Sequence, residues 1–188
     1  MTILKKILFP IFSLFLAFRS IDLIRNLISL DPNGYTIVEQ IIISFLMNLF
    51  ITGIFAFTGF AYSTSGILPK GYYKIKNAKQ LKTTYRSLGI NHFRIILLFL
   101  FWGRKSNRKK YFNGTKSGLK NFVYQTKQSE FGHLASFVTI LFSSAYLLFF
   151  DYYLLVLFIN LINIIGNLFP IILQRFHRMR IDPLTQKY

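Results

Sequence analysis

The chain has no cysteine and only six acidic residues, against 23 Lys and Arg. Without cysteine there is no disulfide, no thiolate nucleophile and no thiolate metal site, and cysteine usage says nothing of the redox compartment. Three histidines and scattered carboxylates make a poor basis for a structural metal site. A net charge of +17 would suit nucleic acid, but zinc-ligand spacing, a helix-turn-helix pattern and an aromatic RNA-binding signature are all missing. No metal, no cofactor and no nucleic-acid partner are therefore expected.

What the chain does have is apolar sequence. Hydrophobic residues make up 53% of its 188 positions, with a mean hydropathy of +0.42. A soluble domain of this length could not enclose that much apolar surface, so the expected class is an all-α integral membrane protein. Lys5 and Lys6 precede an apolar run from Ile7 to Phe18, as in a signal peptide. The run ends in Ala17-Phe18-Arg19-Ser20, which lacks a small-x-small cleavage pattern, so a retained anchor is expected. Asp31-Pro32-Asn33-Gly34 and Asp151 read as turns. Four spans follow, over residues 4–30, 36–62, 134–150 and 152–173, in a single membrane domain. On the first, Arg19, Asp22 and Arg25 form a polar stripe, read as an ion pair with snorkelling or as a polar wall facing the bundle.

Charge then orients the spans. Residues 63–129 carry 15 of the 23 basic residues and no acidic one. Lys and Arg are retained on the cytoplasmic side, so this loop, both termini and the basic tail 174–188 are expected there, in a bacterial inner membrane crossed several times. Within the loop, Ile95 to Trp102 is apolar but too short to span, and is expected to be an interfacial or re-entrant helix with Arg94 and Arg104 snorkelling at its ends. Arg104 to Lys110 follows as a charge run, then a turn at Asn113-Gly114 and a short helix to Gln128. Membrane lipids are the implied partners of all this basic charge.

The polar residues left inside or beside the spans carry the chemistry. Glu130 and His133 lie three apart and share a helical face. Either the carboxylate orients the imidazole as a general base, or Ser129 and Glu130 open the helix and His133 sits at the interface. Asn160, Asn163, Asn167 and Gln174 fall on one side of a regular helix. They line a polar cavity, or pack as glue against Ser136, Thr139 and Ser143. Antiparallel pairing about Asp151-Tyr152 sets Glu130 opposite Leu173 and Gln174, and His133 opposite Pro170, near Arg175, Arg178 and Arg180.

In order along the chain stand Leu68-Pro69-x-x-Tyr72-Tyr73, then Ser129-Glu130-x-x-His133, then Asn167-x6-Gln174-Arg175-Phe176-x-Arg178-x-Arg180. This pattern resembles the glycosyl-diaponeurosporenoate acyltransferases, small bacterial membrane enzymes that acylate the sugar of a glycosylated carotenoid. The similarity covers roughly residues 68–181. It departs at Leu134 and Met179, where the family carries an aromatic residue and a proline. The resemblance implies an O-acyltransferase acting on a hydroxyl of a lipid or glycolipid at the cytoplasmic face. His133 would be the base, Glu130 its orienter, and Asn167 and Gln174 polar positioners. Arg175, Arg178 and Arg180 would hold a donor phosphate or a headgroup, with acyl-CoA or an acyl carrier as co-substrate. The other class of reading is a non-enzymatic membrane subunit whose basic loop docks anionic lipid or an acidic protein.

Overall fold

In a computed structural model, residues 3–100 and 115–185 are described, and all regular structure among them is helical. The helices are α1 (Ile3–Ile28), α2 (Ile37–Ala61), α3 (Lys70–Tyr73), α4 (Ala78–Ser87), α5 (Ile90–Leu100), α6 (Lys116–Leu147), α7 (Tyr153–Asn163) and α8 (Phe169–Thr185), with a π-helical segment at Ile164–Leu168. Four helical stretches are long and apolar enough to cross a membrane: Ile3–Ile28, Ile37–Ala61, Gly118–Phe150 and Tyr153–Ile181. The protein is an all-α, multi-pass membrane protein. Its residues cluster into two compact units, one of Met1–Ser63 with Gly132–Leu168 and one of Thr64–Phe131 with Phe169–Tyr188.

The first unit is polar within and apolar without. Phe12, Phe15, Phe45, Phe142 and Phe149 are exposed, while Ser44, Ser136, Asn163 and Asn167 are at most 1% exposed. Water would reverse that arrangement; hydrocarbon favours it, because a polar side chain facing lipid goes unsatisfied. The buried polar groups tie helix to helix. Ser13 Oγ donates to the Ile54 carbonyl at 2.8 Å, and Asn48 Nδ2 to the Ile159 carbonyl at 3.0 Å. Around them pack Leu27, Met47, Ile51, Ile140, Leu155 and Ile159.

Local sequence sets the ends of these helices. Thr36 and Glu39 close a reciprocal capping box at the start of α2, and Tyr62 ends it in an extended conformation. Asp31 caps the short 3₁₀ turn Pro32–Gly34. Asp151 adopts φ 62°, in the left-handed region that an aspartate tolerates at a tight turn. The α1 helix runs through Pro10 without interruption. At its other end, the Tyr152 hydroxyl lies 2.6 Å from the Leu27 carbonyl and 3.1 Å from that of Leu30, sharing its one hydrogen between carbonyls at the helix terminus. Tyr152→Phe is expected to lower stability by about 1–2 kcal/mol, read as a lower melting temperature in detergent.

The second unit packs α4 and α5 on α8. Tyr85 and Ile90 meet Leu173, Phe176 and Met179, with Leu81, Phe93 and Leu97 around them. Asn77 caps α4, whose outer positions Lys79, Lys82 and Arg86 are exposed. The α5 helix is apolar but too short to span, and Ile95, Ile96 and Phe99 stand exposed on it. This is the expected short apolar helix, starting at Ile90 rather than Ile95. Trp102, the Arg104–Lys110 run and the Asn113-Gly114 turn lie outside the described residues.

Three boundaries differ from the sequence reading. The third long helix begins at Lys116 rather than at residue 134, so the short helix to Gln128 and the span are one element. Ser129 and Glu130 do not open a helix there: their side chains meet Gln174, Arg175 and Arg178, leaving the backbone free to run straight through. The basic stretch 174–185, expected as a tail, is helical. Its apolar residues Leu173, Phe176 and Met179 recur at helical spacing and are buried, so packing keeps it wound despite its charge. The fourth helix is interrupted by the π segment. Pro170 has no N–H to offer the Gly166 carbonyl four residues back, which removes one α-helical bond from that stretch.

Candidate functional site

The sequence-predicted residues fall into two polar groups, one in each unit. In the first unit, His133 Nδ1 is 3.0 Å from Asn167 Oδ1. Asn167 Nδ2 donates to Asn163 Oδ1 at 3.0 Å and to Thr52 Oγ1 at 3.1 Å. Asn163 Nδ2 in turn donates to the Phe137 carbonyl at 3.1 Å. The Gly166 backbone also borders the imidazole. Asn163 and Asn167 are buried and His133 is half-buried. Thr52 on α2, Asn163 on α7 and Asn167 in the π segment thus form one hydrogen-bonded cluster that meets the imidazole of His133 on α6 through Asn167.

The side chain that meets the imidazole is the Asn167 carboxamide, while the Glu130 carboxylate receives Arg175 and Arg178. The amide stripe also divides. Asn160 bonds Ser144, with its Nδ2 3.1 Å from Ser144 Oγ, whereas Gln174 Nε2 donates to Ser129 Oγ at 3.2 Å. A wheel drawn on an unbroken α-helix carries its phase across residues 164–168, where the π turn shifts it. The glue partners also differ: Asn160 meets Ser144 and Asn163 meets a backbone carbonyl, in place of Ser136, Thr139 and Ser143.

In the second unit, Glu130 is the hub. Its side chain is fully buried, and both oxygens are taken: Arg175 Nε donates to Oε1 at 2.8 Å, and Arg178 Nη2 donates to Oε2. Arg178 is 1% exposed, and its guanidinium lies 5.0 Å from the Tyr73 ring centre. Arg175 lies 4.5 Å from the Tyr72 ring centre and donates to the Tyr72 carbonyl at 3.4 Å. The Tyr72 and Tyr73 rings meet edge to face at 5.1 Å, and Tyr73 Oη donates to the Lys127 carbonyl at 3.4 Å. Leu-Pro-x-x-Tyr-Tyr, Glu130 and the Arg175-x-x-Arg178 pair are thereby one packed assembly. Arg180 remains exposed, its guanidinium 6.0 Å from the Phe176 ring centre.

Burial and the nearby Glu130 charge both raise the Tyr73 hydroxyl, to about 12; the same two causes raise Tyr72. A raised Tyr pKa supports folding below the unfolded value of 10, and that support is lost as pH climbs through about 12. Subtracting the tyrosinate absorbance titration of Tyr73→Phe from that of the wild type should therefore leave a step near pH 12 rather than at pH 10.

Sequence reasoning missed Thr52, and it gave Asn163 no part beyond packing or lining a polar cavity. Thr52 continues Gln40, Ser44 and Asn48 at four-residue spacing, a polar stripe on the second span that could have pointed to it. Tyr72 and Tyr73 stood out only within the Leu-Pro-x-x-Tyr-Tyr pattern, and nothing in their own segment signals the Glu130 ion pairs they pack against. The described residues hold no group of His, Asp and Glu suited to a metal ion.

No curated protein and no solved structure gives a significant match. A family profile does: the one described as glycosyl-4,4'-diaponeurosporenoate acyltransferase matches residues 69–187. The matched stretch is more than half of the chain and holds the tyrosine pair, Glu130, His133, the Asn163–Asn167 amides and the arginine cluster. The chain belongs to the glycosyl-4,4'-diaponeurosporenoate acyltransferase family.

Proposed function

We propose that the protein is a membrane-bound O-acyltransferase that moves a fatty acyl group onto a hydroxyl of a lipid or glycolipid, with a glycosylated carotenoid as the acceptor the family name suggests. The observation that carries this reading is the contact of His133 Nδ1 with Asn167 Oδ1 inside an apolar helical unit. A neutral imidazole held at one nitrogen keeps the other for proton transfer. His133 Nε2 takes the proton of the acceptor hydroxyl as its oxygen attacks the donor carbonyl. The acyl–oxygen bond forms, the bond to the donor's leaving group breaks, and the imidazolium returns the proton to that group. The donor is an activated acyl ester or thioester such as acyl-CoA or an acyl carrier.

The arginines divide by exposure. Arg178 is committed to Glu130 and Tyr73 and braces the second unit. The exposed Arg180, and Arg175, which is partly exposed while bonded to Glu130, are the ones able to meet a donor phosphate or a lipid headgroup. The acid-free basic loop supports a cytoplasmic placement of that surface, with both termini on the same side of a bacterial inner membrane. The direct test is reconstitution of the full chain in vesicles with radiolabelled acyl-CoA and a glycolipid acceptor. Labelled ester in the lipid phase supports the reading. Label that stays in the donor, whichever acyl chain and acceptor are supplied, contradicts it.

A further inference from the structure

Taking His133 as the base, as above, leaves open what decides which of its two nitrogens is free. We infer that Asn163 is the positioning residue that makes this choice, by fixing the orientation of the Asn167 amide. The Phe137 carbonyl can only accept, so the group facing it at 3.1 Å is the Asn163 amide nitrogen. That fixes Asn163 and turns its Oδ1 toward Asn167. An oxygen there demands a donor, so Asn167 presents Nδ2 to it, and its Oδ1 is left facing His133 Nδ1 at 3.0 Å. A carbonyl oxygen can only accept, so Nδ1 carries the hydrogen, and in a neutral ring Nε2 carries the lone pair.

Thr52 does not share this task. Its hydroxyl lies 3.1 Å from Asn167 Nδ2 and 3.3 Å from Oδ1, and a hydroxyl both donates and accepts. It therefore satisfies Asn167 in either orientation. The same holds for the imidazole, which by itself could donate to an oxygen or accept from an amide nitrogen. Of the side chains bonded to Asn167, only Asn163, anchored on a backbone carbonyl, distinguishes the two states, and the Gly166 backbone acts on the imidazole alongside it. The relay Phe137 C=O, Asn163, Asn167, His133 runs one way because its first member cannot donate.

The test is nitrogen-15 spectroscopy of histidine-labelled full-length protein in detergent micelles, with turnover measured on the same samples. In the wild type, the His133 signal should be that of the Nδ1–H tautomer. In Asn163→Leu, Asn167 is free to turn over, and the signal should move toward a mixture of tautomers. The kcat should fall by roughly 10–100-fold, within the range a wrong tautomer can cost, with KM little changed. Thr52→Val should leave the tautomer as in the wild type. A wild-type ring protonated at Nε2 overturns the inference without recourse to any variant. So does an Asn163→Leu protein that keeps the Nδ1–H signal, since a packing role alone would lower stability and leave the tautomer alone. If the tautomer shifts as stated but turnover is indifferent to His133→Ala, the relay stands and the reading of His133 as base fails.

Discussion

His133→Ala is expected to lower acyl transfer by about 10²–10⁴-fold, the range that general-base catalysis supplies. The loss should appear in turnover and not in membrane insertion. Alanine favours a helix, and Asn167 keeps Thr52 and Asn163 as partners once the imidazole is gone. The fold therefore loses one hydrogen bond, worth about 1 kcal/mol, while the reaction loses its proton acceptor. Initial rates in proteoliposomes, normalised to folded protein, separate the two effects. A variant with normal turnover would show that the proton leaves by another route.

Glu130→Ala should act in the opposite way, on the fold more than on the reaction. Glu130 is fully buried and receives both Arg175 and Arg178. Removing it leaves Arg178, 1% exposed, without its carboxylate, and Arg178 Nε and Nη1 already have no hydrogen-bond acceptor among the described residues. Breaking a buried ion pair from one side costs on the order of 3–5 kcal/mol, much of the 5–15 kcal/mol by which proteins are typically stable. The expected result is a large drop in melting temperature and yield. Glu130→Leu combined with Arg178→Met should recover much of it, because no fully buried charge is then left unpaired, and the partly exposed Arg175 keeps the Tyr72 carbonyl and ring. A carboxylate whose task was to orient His133 would instead give a stable Glu130→Gln protein with crippled turnover.

Much of the architecture was legible in the chain. Apolar length located the four spans, and the Asp31-Pro32-Asn33-Gly34 and Asp151 turns fell where they were read. The second span was read from residue 36, where Thr36 and Glu39 close the capping box of α2. What the chain concealed were the places where side chains overrule local signals. Ser129-Glu130 has the pattern of a helix start, yet long-range partners absorb both side chains and the helix continues. The π turn at residues 164–168 has no simple period, so a regular wheel could not follow the amides past it. His133 and Glu130 were readable as a pair from their spacing. Their actual partners, Asn167 and the two arginines, depended on chain brought in from more than 30 residues away.

Mass spectrometry of lipid extracts tests the central claim most directly. Cells that make a glycosylated carotenoid would carry the full chain, the His133→Ala chain or neither. Acyl transfer at His133 predicts an acylated glycolipid, heavier than its precursor by one fatty acyl group, only with the wild-type chain. The same ester in all three extracts, or in none, would contradict it.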